Sequence, residues 1–288
     1  MNVIIKNVRT YLSMSQTELA ELLGVTFATV NRWENGRAVP NNLAQTRIFE
    51  ICQEKNIPLY QMVLDKIERI ASAIKVEEGH ILLYHGSKRG MEGQIGLHSR
   101  KQCDFGRGFY MDTDPSQSLT LVCDFPRSKF YIMSVDLNGL RSLEVPADID
   151  WAMLVVYNHE KMERIKGTKL YEKYRKMTEN HDLVIGNIAN DRIFYVIDNF
   201  FQGTITDAAL INSLSALKLG KQYVMVTQKG CDHTHIAAEI ELSYLERMSI
   251  QAVASGNREK GVSLANDICK RYRREGKFFD ELLEEAGG

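Results

Sequence analysis

The chain reads as two domains of different class, an all-α bundle of short helices followed by an α+β domain. Three observations predict this. Apolar residues recur at helical spacing from Val3 to Ile74. From His80 onward, short apolar runs suited to strands mix with helical stretches, without the regular alternation of a doubly wound parallel sheet. Between them, Lys75-Val76-Glu77-Glu78-Gly79 is a polar break. The expected division is a first domain at 1–66, a helical linker at 67–79 and a second domain at 80–288.

The 288 residues suffice for two ordinary domains, and 44% apolar with 25% charged residues is the balance of a globular protein. A net charge of −1 excludes a chain that attracts polyanions as a whole, so any nucleic-acid contact needs a local patch. No signal segment and no apolar run near twenty residues appear, so the expected location is cytoplasmic with no membrane partner. Five dispersed cysteines without a Cys-x-x-Cys pair read as reduced thiols.

Residues 3–12 carry apolar side chains at helical spacing. Ser15, with Glu18 three positions on, predicts a capping box at the start of a second helix, whose apolar face is Leu19, Ala20, Leu22 and Leu23. Gly24 allows a left-handed turn. Thr26 caps a third helix over 27–35, ended by Gly36. Helix, glycine turn and helix form a helix-turn-helix unit. The run from Ser15-Gln16-Thr17-Glu18-Leu19-Ala20 to Asn31-Arg32-Trp33-Glu34-Asn35-Gly36-Arg37 closely resembles the phage-repressor-like (Cro/C1-type) family. Val25, Val30 and Trp33 are expected to pack the helices together. Thr26, Phe27, Thr29, Asn31 and Arg32 lie on the expected DNA-reading face, and Gln16 and Arg37 are placed for phosphates. A single such module binds weakly, so a homodimer is expected on DNA. Residues 42–74 read as helix on either side of Pro58, with the later stretch serving as connector or dimer seam.

In the second domain, strands are expected at 81–85, 129–135, 183–188, 222–227 and 236–242. Helices are expected at 116–124, 149–160, 169–180, 207–217 and 260–285. The densest signal is Cys103-Asp104-Phe105-Gly106-Arg107-Gly108-Phe109-Tyr110. Two glycines among aromatics suit a backbone lying close against a ligand, or a tight turn entering a buried strand. Upstream, Leu83-Tyr84-His85-Gly86-Ser87 closes an apolar run.

This pair of motifs resembles the nicotinamide-binding motifs of ADP-ribosyltransferases of the diphtheria-toxin and poly-ADP-ribose-polymerase class. More closely, the chain resembles an uncharacterised bacterial family within that superfamily. The 183–192 segment and Gln222-Tyr223-Val224 also look like that family. The resemblance implies an ADP-ribosyltransferase-like split mixed β-sheet with NAD, the substrate, in its cleft. It implies His85, Gly86 and Ser87 around the nicotinamide amide and ribose, and Tyr110 over the ring, with Tyr84 and Phe109 as rivals. Phe105, Gly106, Arg107 and Gly108 form one wall, and Arg107 or Arg192 holds the pyrophosphate. At the third catalytic position stands Gln222, where the wider class has glutamate. An amide can orient a ribose hydroxyl but offers neither a base nor a full charge. Asp191 is the nearest motif-borne carboxylate in sequence and the candidate to compensate.

The expected function is therefore a DNA-binding mono-ADP-ribosyltransferase, a toxin or defence effector with an unknown macromolecular acceptor and an antitoxin as a further partner. The alternatives are a transcription regulator whose second domain senses NAD without turnover, and a NAD glycohydrolase. Glu239-Ile240-Glu241 has the Glu-x-Glu spacing of the arginine-modifying branch, but that branch's other motifs are missing. The 231–235 run of Cys, Asp and His lacks a second cluster at zinc spacing, so no metal is expected.

Overall fold

The computed structural model describes residues 1–189, 191–216, 220–272 and 275–285, leaving aside the side chains of 191–192, 215–216, 256–266 and 268–270. Five helices open the chain: α1 (Asn2–Tyr11), α2 (Gln16–Leu23), α3 (Phe27–Glu34), α4 (Asn42–Glu54) and α5 (Leu59–Ser72). The expected caps are all made. Ser15 and Glu18 form a reciprocal capping box, Gly24 takes a left-handed φ of 67°, and the Thr26 hydroxyl accepts from Thr29 N. Val30 and Trp33 are buried and hold α3 to α1 and α2. The result is a helical region containing a helix-turn-helix.

The mixed α/β region follows as β1 (His80–Ser87), β2 (Phe109–Asp112), α6 (Pro115–Val122), β3 (Lys129–Asp136), β4 (Ser142–Glu144), α7 (Ile149–Asn158), α8 (Lys169–Lys176), β5 (Leu183–Asn187), α9 (Asp191–Phe201), α10 (Asp207–Ala216), β6 (Lys221–Met225), α11 (Gln228–Asp232), β7 (Thr234–Glu241), α12 (Tyr244–Tyr272) and α13 (Phe279–Glu285). The helix expected at 260–285 is instead two: α12 already begins at Tyr244, and α13 is separate.

The strands form one seven-stranded sheet in the order β4-β5-β6-β2-β1-β3-β7, antiparallel except for the parallel pair β4 and β5. Its strength is uneven. β1 aligns with β3 from His80 to Ser87, but β1 and β2 align only at Tyr84 with Asp112. The sheet is thus two lobes, β4-β5-β6-β2 and β1-β3-β7, joined at a single residue pair.

Each lobe has its own core on the same face. On the first, Val184 and Val224 pack under α7, α9 and α10, with Trp151 fully buried at the centre. Burying such a ring contributes about 2–3 kcal/mol, and its indole Nε1 is satisfied by the Asn187 carbonyl at 3.1 Å. On the second, Phe130, Ile132 and Ile240 pack under α6, α12 and the N-terminal helices. The other face, with Leu83, Met111, Tyr131 and Met133, is covered by Met91, Ile95 and Leu97 of the β1–β2 connection.

The N-terminal helices are not tethered loosely. Residues 67–72 complete α5, and Ile67 is fully buried in the core shared with α6 and α12, so the connector proper is 73–79. The apolar face of α5, expected as a connector or dimer seam, is used inside the chain. Lys66 pairs with the buried Glu246 at 2.7 Å, and Gln45 Oε1 accepts from Leu245 N at 2.8 Å. Burial works to raise the Glu246 pKa, yet Lys66 holds it below the ordinary carboxylate value. No described helix is long and apolar enough to cross a membrane.

Candidate functional site

The junction between the lobes gathers the sequence motifs. Past Tyr84, β1 has no aligned partner on its β2 side among the described residues. There the His85 imidazole takes over: Nδ1 lies 2.7 Å from the Tyr110 carbonyl oxygen. A carbonyl only accepts, so Nδ1 carries the proton. Burial holds the His85 pKa below the ordinary histidine value, against the opposing effect of that contact. A neutral ring protonated at Nδ1 leaves Nε2 as an acceptor. The ring stacks on Phe109 with centroids 4.4 Å apart.

Residues directly opposite in an antiparallel ladder share a face. Tyr84 opposes Asp112, and Asp112 opposes Gln222, so Tyr84, Tyr110, Asp112 and Gln222 lie on one face and His85 with Phe109 on the other. His85 and Tyr110 therefore meet through ring and backbone, and their rings do not converge as expected. The Tyr110 hydroxyl donates to the Gly106 carbonyl at 2.7 Å and accepts from Phe105 N at 3.0 Å, which ties down the turn carrying the motif.

That turn explains much of the motif. Gly106 has a φ of 76°, and Gly106 N donates to the Cys103 carbonyl at 2.8 Å. A Cβ on Gly108 would lie 2.5 Å from Val224 Cγ1, and one on Gly86 would lie 2.5 Å from the Ser118 carbonyl of α6. These glycines serve a turn and close element packing. Phe105, expected in a ligand wall, is a core residue 3% exposed whose ring lies against Gly186. Arg107 is exposed, and the Ser87 hydroxyl donates to the Gly90 carbonyl at 2.7 Å. The side chains of Asp191 and Arg192 lie outside the described residues.

Gln222 is buried on β6. Its Nε2 donates to Asp104 Oδ2 at 2.7 Å and to the Asn187 carbonyl at 2.9 Å. Asp104 is the carboxylate that sequence reasoning missed. Its Oδ2 also accepts from Ala189 N at 2.9 Å, its Oδ1 faces His159 Nε2 at 3.4 Å, and its backbone carbonyl accepts from Asn158 Nδ2. Asp112 was missed as well. Its carboxyl is pushed up to about 7, chiefly by burial and in smaller part by Asp114 and Asp104, against the Ser118 hydroxyl that donates to it at 2.5 Å.

Glu239 and Glu241 sit on the outer strand β7 and face Lys129. Among the described residues, no group of three His, Cys, Asp or Glu is arranged to hold a metal ion. A surface cavity of about 250 Å³ lies beside the 101–108 turn, lined by residues including Lys101, Asn158, Glu160 and Tyr171.

On the N-terminal helices, Thr26, Phe27, Arg32 and Arg37 are exposed and Thr29 partly so. Gln16 and Asn31 are differently employed. Gln16 Nε2 donates to Glu34 at 2.6 Å and its Oε1 accepts from Asn31 at 3.1 Å, while Arg9 closes the cluster on Glu34. Their amides position the recognition helix, and their role at a phosphate or base requires that cluster to open.

Comparison with known families adds two findings. Residues 81–235 match the family described as Protein of unknown function (DUF3990). The chain belongs to this family. Residues 5–53 match the helix-turn-helix family, so the DUF3990 region is preceded by a domain of a DNA-binding type. No curated protein and no solved structure matches the chain. The DUF3990 match spans β1 through the start of β7 and so contains the whole junction between the lobes.

Proposed function

We propose that the chain binds DNA through its helix-turn-helix and binds NAD at the β1–β2 junction, from which it transfers ADP-ribose to a macromolecular acceptor. The observation that carries this reading is the meeting of three remote motifs. His85, Tyr110 and Gln222 come from β1, β2 and β6, three neighbouring strands, at the place where one residue pair holds the sheet. The His85 and Tyr110 motifs resemble parts of the nicotinamide site of ADP-ribosyltransferases, and Gln222 stands where that class has glutamate.

In the proposed reaction the bond between the nicotinamide nitrogen and the ribose anomeric carbon breaks. The bonding electrons leave with nicotinamide and neutralise its charge, and the ribose becomes oxocarbenium-like. A lone pair of the acceptor closes on that carbon and the acceptor loses a proton. Gln222 Oε1 on one face of the sheet, or His85 Nε2 on the other, is an acceptor suited to a ribose hydroxyl, which orients the sugar as charge develops.

The test is nicotinamide release by the full chain, with and without protein, DNA and RNA acceptors. Wild type should release nicotinamide, and Gln222→Ala should lose about a hundredfold or more in rate while NAD affinity changes little. Release without any acceptor indicates glycohydrolysis. An unchanged rate in Gln222→Ala removes this residue from the site. A second reading, an NAD-sensing regulator, is favoured by the core that α4 and α5 share with α6 and α12. It predicts no release, but a change in DNA affinity when NAD is added.

A further inference from the structure

We infer that Asp104 is the positioning residue of the Gln222 amide: its carboxylate decides which amide atom faces the ligand and lends that atom negative charge. The inference rests on reading the junction as the NAD site.

An amide can usually be turned either way, because its oxygen and nitrogen have similar size. Here the surroundings choose. Gln222 Nε2 sits between Asp104 Oδ2 at 2.7 Å and the Asn187 carbonyl at 2.9 Å. Both are acceptors, so only the NH₂ group fits there. The carbonyl of Asn187 is itself fixed by the Trp151 indole. Asp104 is fixed by Ala189 N, Asn158 and His159. Oε1 is left without a partner among the described residues, and it is not a sealed orphan of the core.

The consequence is chemical. A carboxylate bonded to the NH₂ end polarises the amide and increases the negative charge on Oε1, and the effect is larger where water is excluded. Gln222 with Asp104 behind it thereby approaches what glutamate offers directly. It also follows that glutamate at 222 is not a simple restoration. Its carboxylate would face the carboxylate of Asp104 and the Asn187 carbonyl at hydrogen-bond distance, where two like charges are disfavoured and one group holds a proton.

The experiment compares wild type with Asp104→Ala, Asp104→Asn, Gln222→Glu and the double variant Asp104→Asn with Gln222→Glu. It measures kcat and KM for NAD from nicotinamide release, NAD affinity by calorimetry, and the pH profile. Asp104→Ala should lower kcat by about tenfold or more, with a smaller change in KM, as losses of an orienting partner commonly do. Asp104→Asn keeps an acceptor oxygen and should retain more of the rate. Should Asp104→Ala fail to fold, Asp104→Asn and Gln222→Glu decide. Gln222→Glu should lose activity as pH rises toward neutrality, where both carboxylates would ionise, and adding Asp104→Asn, which leaves no second carboxylate to repel the ionised glutamate, should restore activity at neutral pH. An Asp104→Ala protein with wild-type kcat, or a Gln222→Glu protein with wild-type activity at neutral pH, overturns the proposal and leaves the transferase reading standing. If wild type binds NAD without releasing nicotinamide, the transferase reading falls. A severalfold loss of NAD affinity in Asp104→Ala then supports the positioning role, and unchanged affinity overturns it. No NAD binding by wild type overturns both.

Discussion

Tyr110 shows how a residue can serve a site through its fold. Its hydroxyl makes two hydrogen bonds inside the turn that carries Asp104. Tyr110→Phe removes both and leaves a peptide N–H and a carbonyl to find other partners, at a cost of about 1–3 kcal/mol. Denaturant unfolding of the variant checks this, and a ring that mattered only by its face would give no change. Asp112 gives a pH signature. The folded state keeps its proton to about pH 7, whereas an unfolded aspartate releases it near pH 4. Between those values the folded state binds more protons, so this contribution to stability falls as pH rises. Thermal melts of Asp112→Asn and wild type should therefore diverge from pH 4 to 7, with the variant gaining relative to wild type. Parallel curves would refute the assignment. His85, Tyr110 and Gln222 stand out in the sequence because each sits in a short local stretch that carries a family resemblance. Asp104 does not stand out as a partner of Gln222 because the two are 118 positions apart, and no spacing rule joins them.

Among the elements, those with chemical punctuation were legible. The capping box of Ser15 and Glu18, the left-handed Gly24 and the Thr26 cap marked α2 and α3 directly. Less visible were β4, only three residues long, and α9, whose run of β-branched and aromatic residues suits a strand as well as a helix. The start of α12 was missed because no clear apolar stripe announces it. The motif glycines suited either a ligand-facing backbone or a tight turn entering a strand, and packing between elements accounts for Gly86 and Gly108. Gly86→Ala should force α6 away from β1, since a Cβ there meets Ser118 backbone at 2.5 Å and Val122 at 2.8 Å. A loss of about 1–3 kcal/mol is expected, read as a lower midpoint of denaturation. Wild-type stability would show that α6 is free to shift.

On the scale of the whole molecule, the two regions behave as one packed body where α4 and α5 meet α6 and α12. Lys66→Met would strip the partner from Glu246, which is 1% exposed. Leaving a buried carboxylate without its cation costs about 3 kcal/mol or more, so the variant should melt earlier than wild type. Phe27 and Arg32 of α3, and Arg37 just beyond it, are exposed. Arg32→Ala should weaken or relax sequence preference on duplex DNA, and binding should fall as salt rises. Affinity indifferent to salt would contradict a phosphate-contacting role for this face.

A structure of the full chain with NAD bound tests the proposed NAD site at the junction between β1 and β2. The nicotinamide and its ribose should lie at that junction, with His85 Nε2 or Gln222 Oε1 within hydrogen-bond reach of a ribose hydroxyl. NAD seated instead in the cavity beside Asn158 and Tyr171, or no bound NAD at saturating concentration, would contradict the proposed site.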